Sequence, residues 1–361
     1  MIFTNIKKYK LKKFPIVKLN FLHLKMKHTL KVTVVLALFF FIAQFTGLLV
    51  VNHYIDHKKT SERKSIVLKP LPYGLERPQV ENQSTSFIYI TAMILTGTLL
   101  FLLLIRLNKP VIFKVWFFIG VWFALSIACA AFINDSIPYV KFVNEKFVFF
   151  TGKIWFLSLF SFIDNFAAML IAFTLSIFKL YKPNVIIQNI SEIFIYGGLA
   201  AFVVNIFNFF AVVMLLVVIS VYDYISVFKT KHMIKLAKFQ SESKIFAGLL
   251  IPYEKGKILL NDNKTKISES KSSGHSSSSR SVAILGGGDI GFTLIFAGVV
   301  MKDLMIQEVE LFAFLKTLII PFFVTLSLLF LLSKGRKNKF YPAMPVLSLG
   351  CFIGYLVVLM V

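Results

Sequence analysis

Two carboxylates of this chain stand inside long apolar runs, where a charged group is hardest to keep. Asp223 lies in the run VISVYDYISVF, and Asp289 follows three consecutive glycines in ILGGGDIGF. Nearly all of the other acids fall in loops or within a few residues of the end of an apolar run. A charge in hydrocarbon costs at least ~2.5 kcal/mol, so each of these acids is a candidate functional group, with a structural hydrogen bond or a proton relay as the alternative interpretation.

The elements that must position these acids are membrane helices. Of the 361 residues, 57% are hydrophobic, and the mean hydropathy is +0.77, which is more apolar surface than a soluble core can enclose. Apolar runs of about 20 residues recur along the chain, and each is long enough to cross a bilayer. We predict an all-α membrane protein with nine transmembrane helices, at 29–51, 87–105, 111–133, 163–181, 185–204, 206–228, 282–301, 309–332 and 342–361. The further apolar stretch 147–162 is interpreted as interfacial or re-entrant.

Basic residues exceed acidic ones, 40 against 17, which gives a net charge of +23. The excess lies in the short segments between the apolar runs, so membrane topology explains it and no nucleic-acid partner is expected. The positive-inside rule predicts a multi-pass cell-membrane protein with a cytoplasmic N-terminus and an extracytoplasmic C-terminus. The chain then divides into a basic cytoplasmic leader at 1–28, spans one to six at 29–228, a flexible cytoplasmic loop at 229–281 and spans seven to nine at 282–361.

This topology places the two acids at one depth. Asp223 stands five residues before the cytoplasmic end of the sixth span, and Asp289 stands seven residues into the seventh. At 1.5 Å per residue, both lie roughly 8 to 10 Å below the inner boundary of the membrane. If the two carboxyl groups face each other they cannot both ionise easily, so the pair holds one shared proton near neutral pH. Such a pair can activate water and polarise a carbonyl, which is the chemistry of aspartic proteases.

The glycines ahead of Asp289 remove side chains from almost one helical turn. Gly286, Gly287 and Gly288 therefore allow another helix or a substrate backbone to approach closely. Ordinary helix packing also uses such small residues, but packing alone does not call for an acid beside them.

Three motifs resemble those of one known family. Tyr222-Asp223, Gly286-Gly287-Gly288-Asp289 and Pro342-Ala343-Met344-Pro345 are similar to the YD, GxGD and PAL motifs of the presenilin and signal peptide peptidase family of intramembrane aspartyl proteases. The run from 221 to 233 most resembles the archaeal presenilin-like homologues, and Met344 stands where the family usually has Leu. The resemblance implies a presenilin-like fold, with Asp223 and Asp289 as the catalytic pair. It also implies that the substrate is bound by Tyr222, Gly286, Gly287, Gly288, Pro342, Ala343 and Met344.

We therefore predict an intramembrane aspartyl endopeptidase that cleaves transmembrane segments or signal-peptide remnants and acts without accessory subunits. A proton-coupled transporter or ion channel, or a membrane chaperone, could use the same buried acids. Neither cofactor nor metal is expected, since none of the six histidines begins an H-E-x-x-H motif. Because a helical substrate hides its amides, we expect it to unwind and add as a strand to an exposed edge at 282–285 or 245–253.

Overall fold

The structure is a computed structural model that describes residues 30–107, 110–136, 166–182, 184–230, 247–253, 281–334 and 341–361. The leader at 1–28, the stretch 147–162 and the serine-rich part of the 229–281 loop lie outside the described residues. The predictions made for those segments therefore stay predictions.

Helices dominate the described part of the chain. They are α1 (Leu30–His53), α2 (His57–Arg63), α3 (Ser86–Arg106), α4 (Pro110–Ser136), α5 (Phe166–Tyr181), α6 (Val185–Val203), α7 (Phe209–Phe228), α8 (Gly287–Leu304), α9 (Glu310–Thr317), α10 (Ile319–Lys334) and α11 (Met344–Met360). Two strands, β1 (Gly248–Tyr253) and β2 (Ser281–Gly286), stand between α7 and α8. Short 3₁₀ turns occupy Pro72–Gly74, Gln83–Thr85 and Val204–Ile206.

All nine predicted spans contain helix, but the count of nine membrane crossings is not confirmed. Within the described ranges, six helical segments are long and apolar enough to cross a membrane: Lys31–His53, Gln83–Leu104, Val111–Ile133, Val185–Ile206, Phe209–Phe228 and Glu310–Lys334. Two more apolar helices, α5 and α11, are shorter than 18 residues. The protein is thus a helical, multi-pass membrane protein.

The predicted seventh span is wrong in its first part. Residues 282–286 belong to strand β2, and helix α8 begins only at Gly287. Within the predicted loop at 229–281, Gly248–Tyr253 form the strand β1. The two strands pair antiparallel, with Gly248 opposite Gly286 and Leu250 opposite Ile284. Pairing satisfies backbone groups that a glycine-rich, non-helical stretch would otherwise leave exposed to lipid.

Helix α8 lies at the centre of the bundle. It contacts α1, α6, α7, α9, α10 and α11, and its side chains Ile290, Leu294, Phe296 and Met301 are fully buried. Asn208 begins the neighbouring helix α7, because its side-chain oxygen accepts a hydrogen bond from the third backbone N–H of that helix at 2.9 Å. Helices α7 and α8 therefore pack against each other in the part of the bundle that contains both acids.

Candidate active site

Asp223 lies near the C-terminal end of α7 and completes the N-terminus of another helix, α11. Its Oδ2 accepts a hydrogen bond of 3.1 Å from the backbone N–H of Met344. The N-cap residue of α11, Ala343, has no side chain that could do this. Pro345 has no N–H, and the next two N–H groups of α11 donate to the carbonyl of Ala343 at 3.1 Å. Each of the orphan donors at this helix start is therefore accounted for.

A second contact fixes the register of α7 against α11. The hydroxyl groups of Ser220 and Ser348 lie 2.9 Å apart, about one helical turn from Asp223 on α7 and from Met344 on α11. The position of Asp223 is thus fixed by its own bond to Met344 and by the Ser220–Ser348 contact one turn away, and the residue is buried.

Asp289 occupies the first turn of α8. Gly286 is the N-cap residue of this helix and has extended backbone angles, so the chain turns directly from β2 into α8. From α1, the buried Gln44 donates hydrogen bonds to the carbonyl of Ile290 at 2.9 Å and to the hydroxyl of Thr293 at 2.7 Å. The Thr293 hydroxyl in turn donates to the carbonyl of Asp289 at 2.8 Å. This network holds the backbone of the turn that carries the acid.

Both acids line one cavity of about 560 Å³. Each also lies at a helix N-terminus, Asp289 in its own helix and Asp223 at that of α11, where the aligned peptide dipoles stabilise negative charge. The predicted residues that share this cavity with the acids are Tyr222, Gly286, Gly288, Ala343 and Met344. The cavity has room for a water molecule and a peptide carbonyl, and both carboxyl groups line it.

Two of the predicted substrate-binding residues, Pro342 and Gly287, do not line this cavity. Gly287 packs behind it: a Cβ atom placed there would lie 2.4 Å from the Tyr196 hydroxyl, so only glycine fits without movement. Its backbone N–H donates to the carbonyl of Ala247 at 3.2 Å. Opposite Gly286, Gly248 has a φ of 146°, in the region that favours glycine. Gly248, Gly286 and Gly287 thus lie together directly ahead of Asp289, and we call them the glycine junction.

The outer side of β1 is covered by side chains of α6. Asn189 binds both backbone groups of Leu250, donating to its carbonyl at 2.8 Å and accepting from its N–H at 2.9 Å. Gln188 donates to the carbonyl of Gly248 at 3.1 Å. The amide side chains thus replace a neighbouring strand, and the other side of β1 is paired with β2.

A second cavity of about 750 Å³ lies on another side of the α8 N-terminus. Gly286, Gly288 and Phe292 line both cavities, and Glu192 and Tyr196 line only the second. The junction between β2 and α8 therefore forms a thin wall between two open spaces.

Several residues around the acids were not predicted from the sequence. Thr98, Phe292 and Tyr341 line the cavity of the acids, and the hydroxyl of Tyr222 donates to that of Thr98 at 3.3 Å. Gln44 is a polar residue inside the first apolar run, and that position is the only signal in the sequence that could have marked it.

Comparison with solved structures identifies the same architecture. One structure of a presenilin family intramembrane aspartate protease, in the C222 space group, superposes with a TM-score of 0.53 at 18% identity and covers 91% of this chain and 98% of that one. Another, in the P2 space group, gives a TM-score of 0.50 at 17% identity, with 90% and 96% covered. At these identities the likeness shows the fold alone. A search of curated protein sequences returned no significant match.

A match between this chain and a family sequence model identifies its family. The model described as signal-peptide peptidase, presenilin aspartyl protease matches residues 71–361, which is most of the chain and includes both acids. The chain therefore belongs to the signal-peptide peptidase and presenilin family of intramembrane aspartyl proteases.

Proposed function

We propose that this chain hydrolyses peptide bonds within transmembrane segments or signal-peptide remnants, with Asp223 and Asp289 as its two catalytic residues. The observation that carries the proposal is that the helices α7 and α8 bring both carboxyl groups to one cavity inside the bundle. Membership of an aspartyl protease family favours hydrolysis over the transporter or channel that the same acids would also allow.

The two acids would divide the chemistry between them. One carboxylate takes a proton from water while the oxygen of that water forms a bond to the scissile carbonyl carbon. The protonated partner gives its proton to the carbonyl oxygen, which forms a gem-diol. As the C–N bond breaks, the first acid gives the proton it took from water to the amide nitrogen, and the partner takes a proton back from the gem-diol as the carbonyl re-forms. The products are a new carboxyl terminus and a new amine, and the pair again holds one shared proton.

The free edge of β2 supports binding of the substrate as a strand. The backbone N–H and carbonyl of Leu250 both bind the side chain of Asn189, so they point away from β2. Leu250 and the residue opposite it, Ile284, therefore form no backbone hydrogen bonds with each other. The N–H and carbonyl of Ile284 therefore point away from β1. In the described part of the chain no strand pairs with this side of β2, and β2 ends three residues before Asp289. A substrate strand added here would have its backbone next to the acids.

The wall formed by α3 favours lateral access from the bilayer. Only 6% of the apolar window of α3 is buried, the smallest share among the six candidate spans. Thr91, Ile94, Leu95 and Thr98 of this helix line the cavity of the acids. A transmembrane substrate could reach the cavity by displacing one weakly packed helix.

The proposal includes activity of the chain alone, in a cell membrane, with a cytoplasmic N-terminus as the charge pattern predicts. The test is to incubate the purified, detergent-solubilised chain with a synthetic transmembrane peptide and to identify fragments by mass spectrometry. We expect discrete cleavage within the apolar segment, blocked by a peptide mimic that carries a hydroxyl group in place of the scissile carbonyl. An intact peptide under conditions where the chain is folded would refute the proposal.

A further inference from the structure

A buried ion pair lies outside the candidate active site. Lys179 of α5 donates to Glu192 of α6, and the two side chains are 2% and 1% exposed. Glu192 also accepts hydrogen bonds from Gln188, at 2.9 Å, and from the hydroxyl of Tyr196. One carboxylate thus accepts from three donors inside the protein. The hydrolysis described above makes no use of it.

A charge pair in this place is costly, because both groups lose water that their mutual attraction only partly replaces. Apolar residues of similar size would give the bundle comparable stability in this position. Stability alone therefore does not explain why the chain carries this ion pair. The contacts of Gln188 and Tyr196, the two neutral partners of Glu192, indicate another role.

Each neutral partner of Glu192 contacts one side of the glycine junction. The side-chain nitrogen of Gln188 that donates to Glu192 also donates to the carbonyl of Gly248, at 3.1 Å. The Tyr196 hydroxyl lies against Gly287, at the place where any Cβ atom would collide with it. Gly248 pairs with Gly286, so the two contacts enclose the residues that lead directly into Asp289.

We propose that Lys179, Glu192, Gln188 and Tyr196 form a positioning network for the active site. Lys179 binds the carboxyl group of Glu192, and Glu192 orients Gln188 and Tyr196. Gln188 in turn fixes β1, and Tyr196 fixes the first residue of α8. None of the four is a catalytic residue. The proposal rests on the proposed function, because the group being positioned is the carboxyl of Asp289.

The smallest perturbation is Tyr196→Phe, which removes one hydroxyl and leaves the ring in place. We expect kcat for a transmembrane peptide to fall on the order of tenfold, since small misplacements at an active site are costly, while KM changes by less than about twofold. The matched control is Tyr54→Phe. Tyr54 is also buried, and its hydroxyl donates to the carbonyl of Ile127 at 2.7 Å, but neither residue lines the cavity of the acids. This control should keep kcat within about twofold.

Hydrogen exchange supplies a readout that does not depend on cleavage. We expect the backbone amide of Gly287, which lies against the Tyr196 hydroxyl and donates to the carbonyl of Ala247, to exchange faster in Tyr196→Phe and to keep its protection in Tyr54→Phe. Equal exchange rates and equal kcat values in the two variants would overturn the proposal. If the wild-type chain cleaves no peptide, the proposed function fails, but the exchange comparison still decides whether the network holds the start of α8.

A double substitution, Lys179→Met with Glu192→Leu, separates positioning from stability. It removes both charges together and leaves no unpaired ion, so the bundle should still fold. Gln188 and Tyr196 lose their shared acceptor, and we expect the loss of kcat and the faster exchange seen in Tyr196→Phe. A folded double variant with wild-type kcat and wild-type exchange would overturn the proposal. If this variant does not fold, the comparison of the two tyrosine variants decides alone.

Discussion

Gly288 offers the sharpest test of how the site admits a substrate. A Cβ atom built on Gly288 would meet nothing closer than Phe292, at 3.5 Å, which is ordinary van der Waals contact. The backbone can therefore accept a side chain without strain. Because Gly288 lines the cavity of the acids, Gly288→Leu would place its side chain where the substrate backbone must lie.

The expected magnitudes differ for folding and for catalysis. Replacing glycine in a helix favours folding by at most about 1 kcal/mol, and no collision offsets this gain at Gly288. A leucine side chain would displace the substrate by more than 1 Å, and a displacement of about 1 Å already costs on the order of 100-fold in rate. Gly288→Leu should thus keep its unfolding temperature and lose at least about 100-fold in kcat/KM. Gly288→Ala should lose less.

The matched control is Gly97→Leu. Nothing lies within 4 Å of a Cβ atom at Gly97 on α3, and this glycine does not line the cavity. Gly298 would be unsuitable, because a Cβ atom there would lie 2.9 Å from Val204 and the variant would test packing. Cleavage of a transmembrane peptide and thermal unfolding should be measured for both variants. Wild-type cleavage by Gly288→Leu, or an equal loss in Gly97→Leu, would refute the reasoning.

Three further predictions concern the surroundings of the acids. Tyr222→Phe removes the 3.3 Å hydrogen bond to Thr98, so we expect a modest loss of cleavage rate in the wild-type background and no additional loss in a Thr98→Val background. A further loss in that background would show that the hydroxyl of Tyr222 acts elsewhere. Gln44→Leu should lower kcat and speed exchange of the amides in the first turn of α8, because two donors to that turn are lost, and unchanged exchange would contradict this role. If Asp223 and Asp289 share one proton, the rate should be bell-shaped in pH between 4 and 9 for a peptide without titratable groups near the cut, and a flat profile would argue against the shared proton.

The acids themselves could be predicted because a membrane makes them conspicuous. Asp223 and Asp289 stand in apolar runs, and their order and depth place them at the same end of neighbouring elements. This order and depth led to the expectation that the two carboxyl groups lie close together, and both line one cavity. The fold class follows from the same apolar runs, since a chain in lipid must satisfy its backbone internally.

The pairing of β1 with β2 could not be predicted from the sequence in the same way. A run such as 245–253 is compatible with an interfacial helix or a strand. Its partner β2 begins only at Ser281, largely within an apolar run of helical length. The strand is stabilised by its pairing with β2 on one side and by the side chain of Asn189, which binds Leu250, on the other. In the sequence, Asn189 and Glu192 only weaken an apolar run. Their partners come from other elements, and no local pattern reveals them.

The central claim is that Asp223 and Asp289 together perform the hydrolysis. Its most direct test is the cleavage of a transmembrane peptide by purified Asp223→Asn and Asp289→Asn, each shown to be folded by thermal unfolding. An amide keeps the size of the side chain but cannot exchange the proton, so we expect no fragments by mass spectrometry from either variant. Substantial cleavage by one variant would remove that residue from the mechanism, and full activity of both would contradict the assignment of the site.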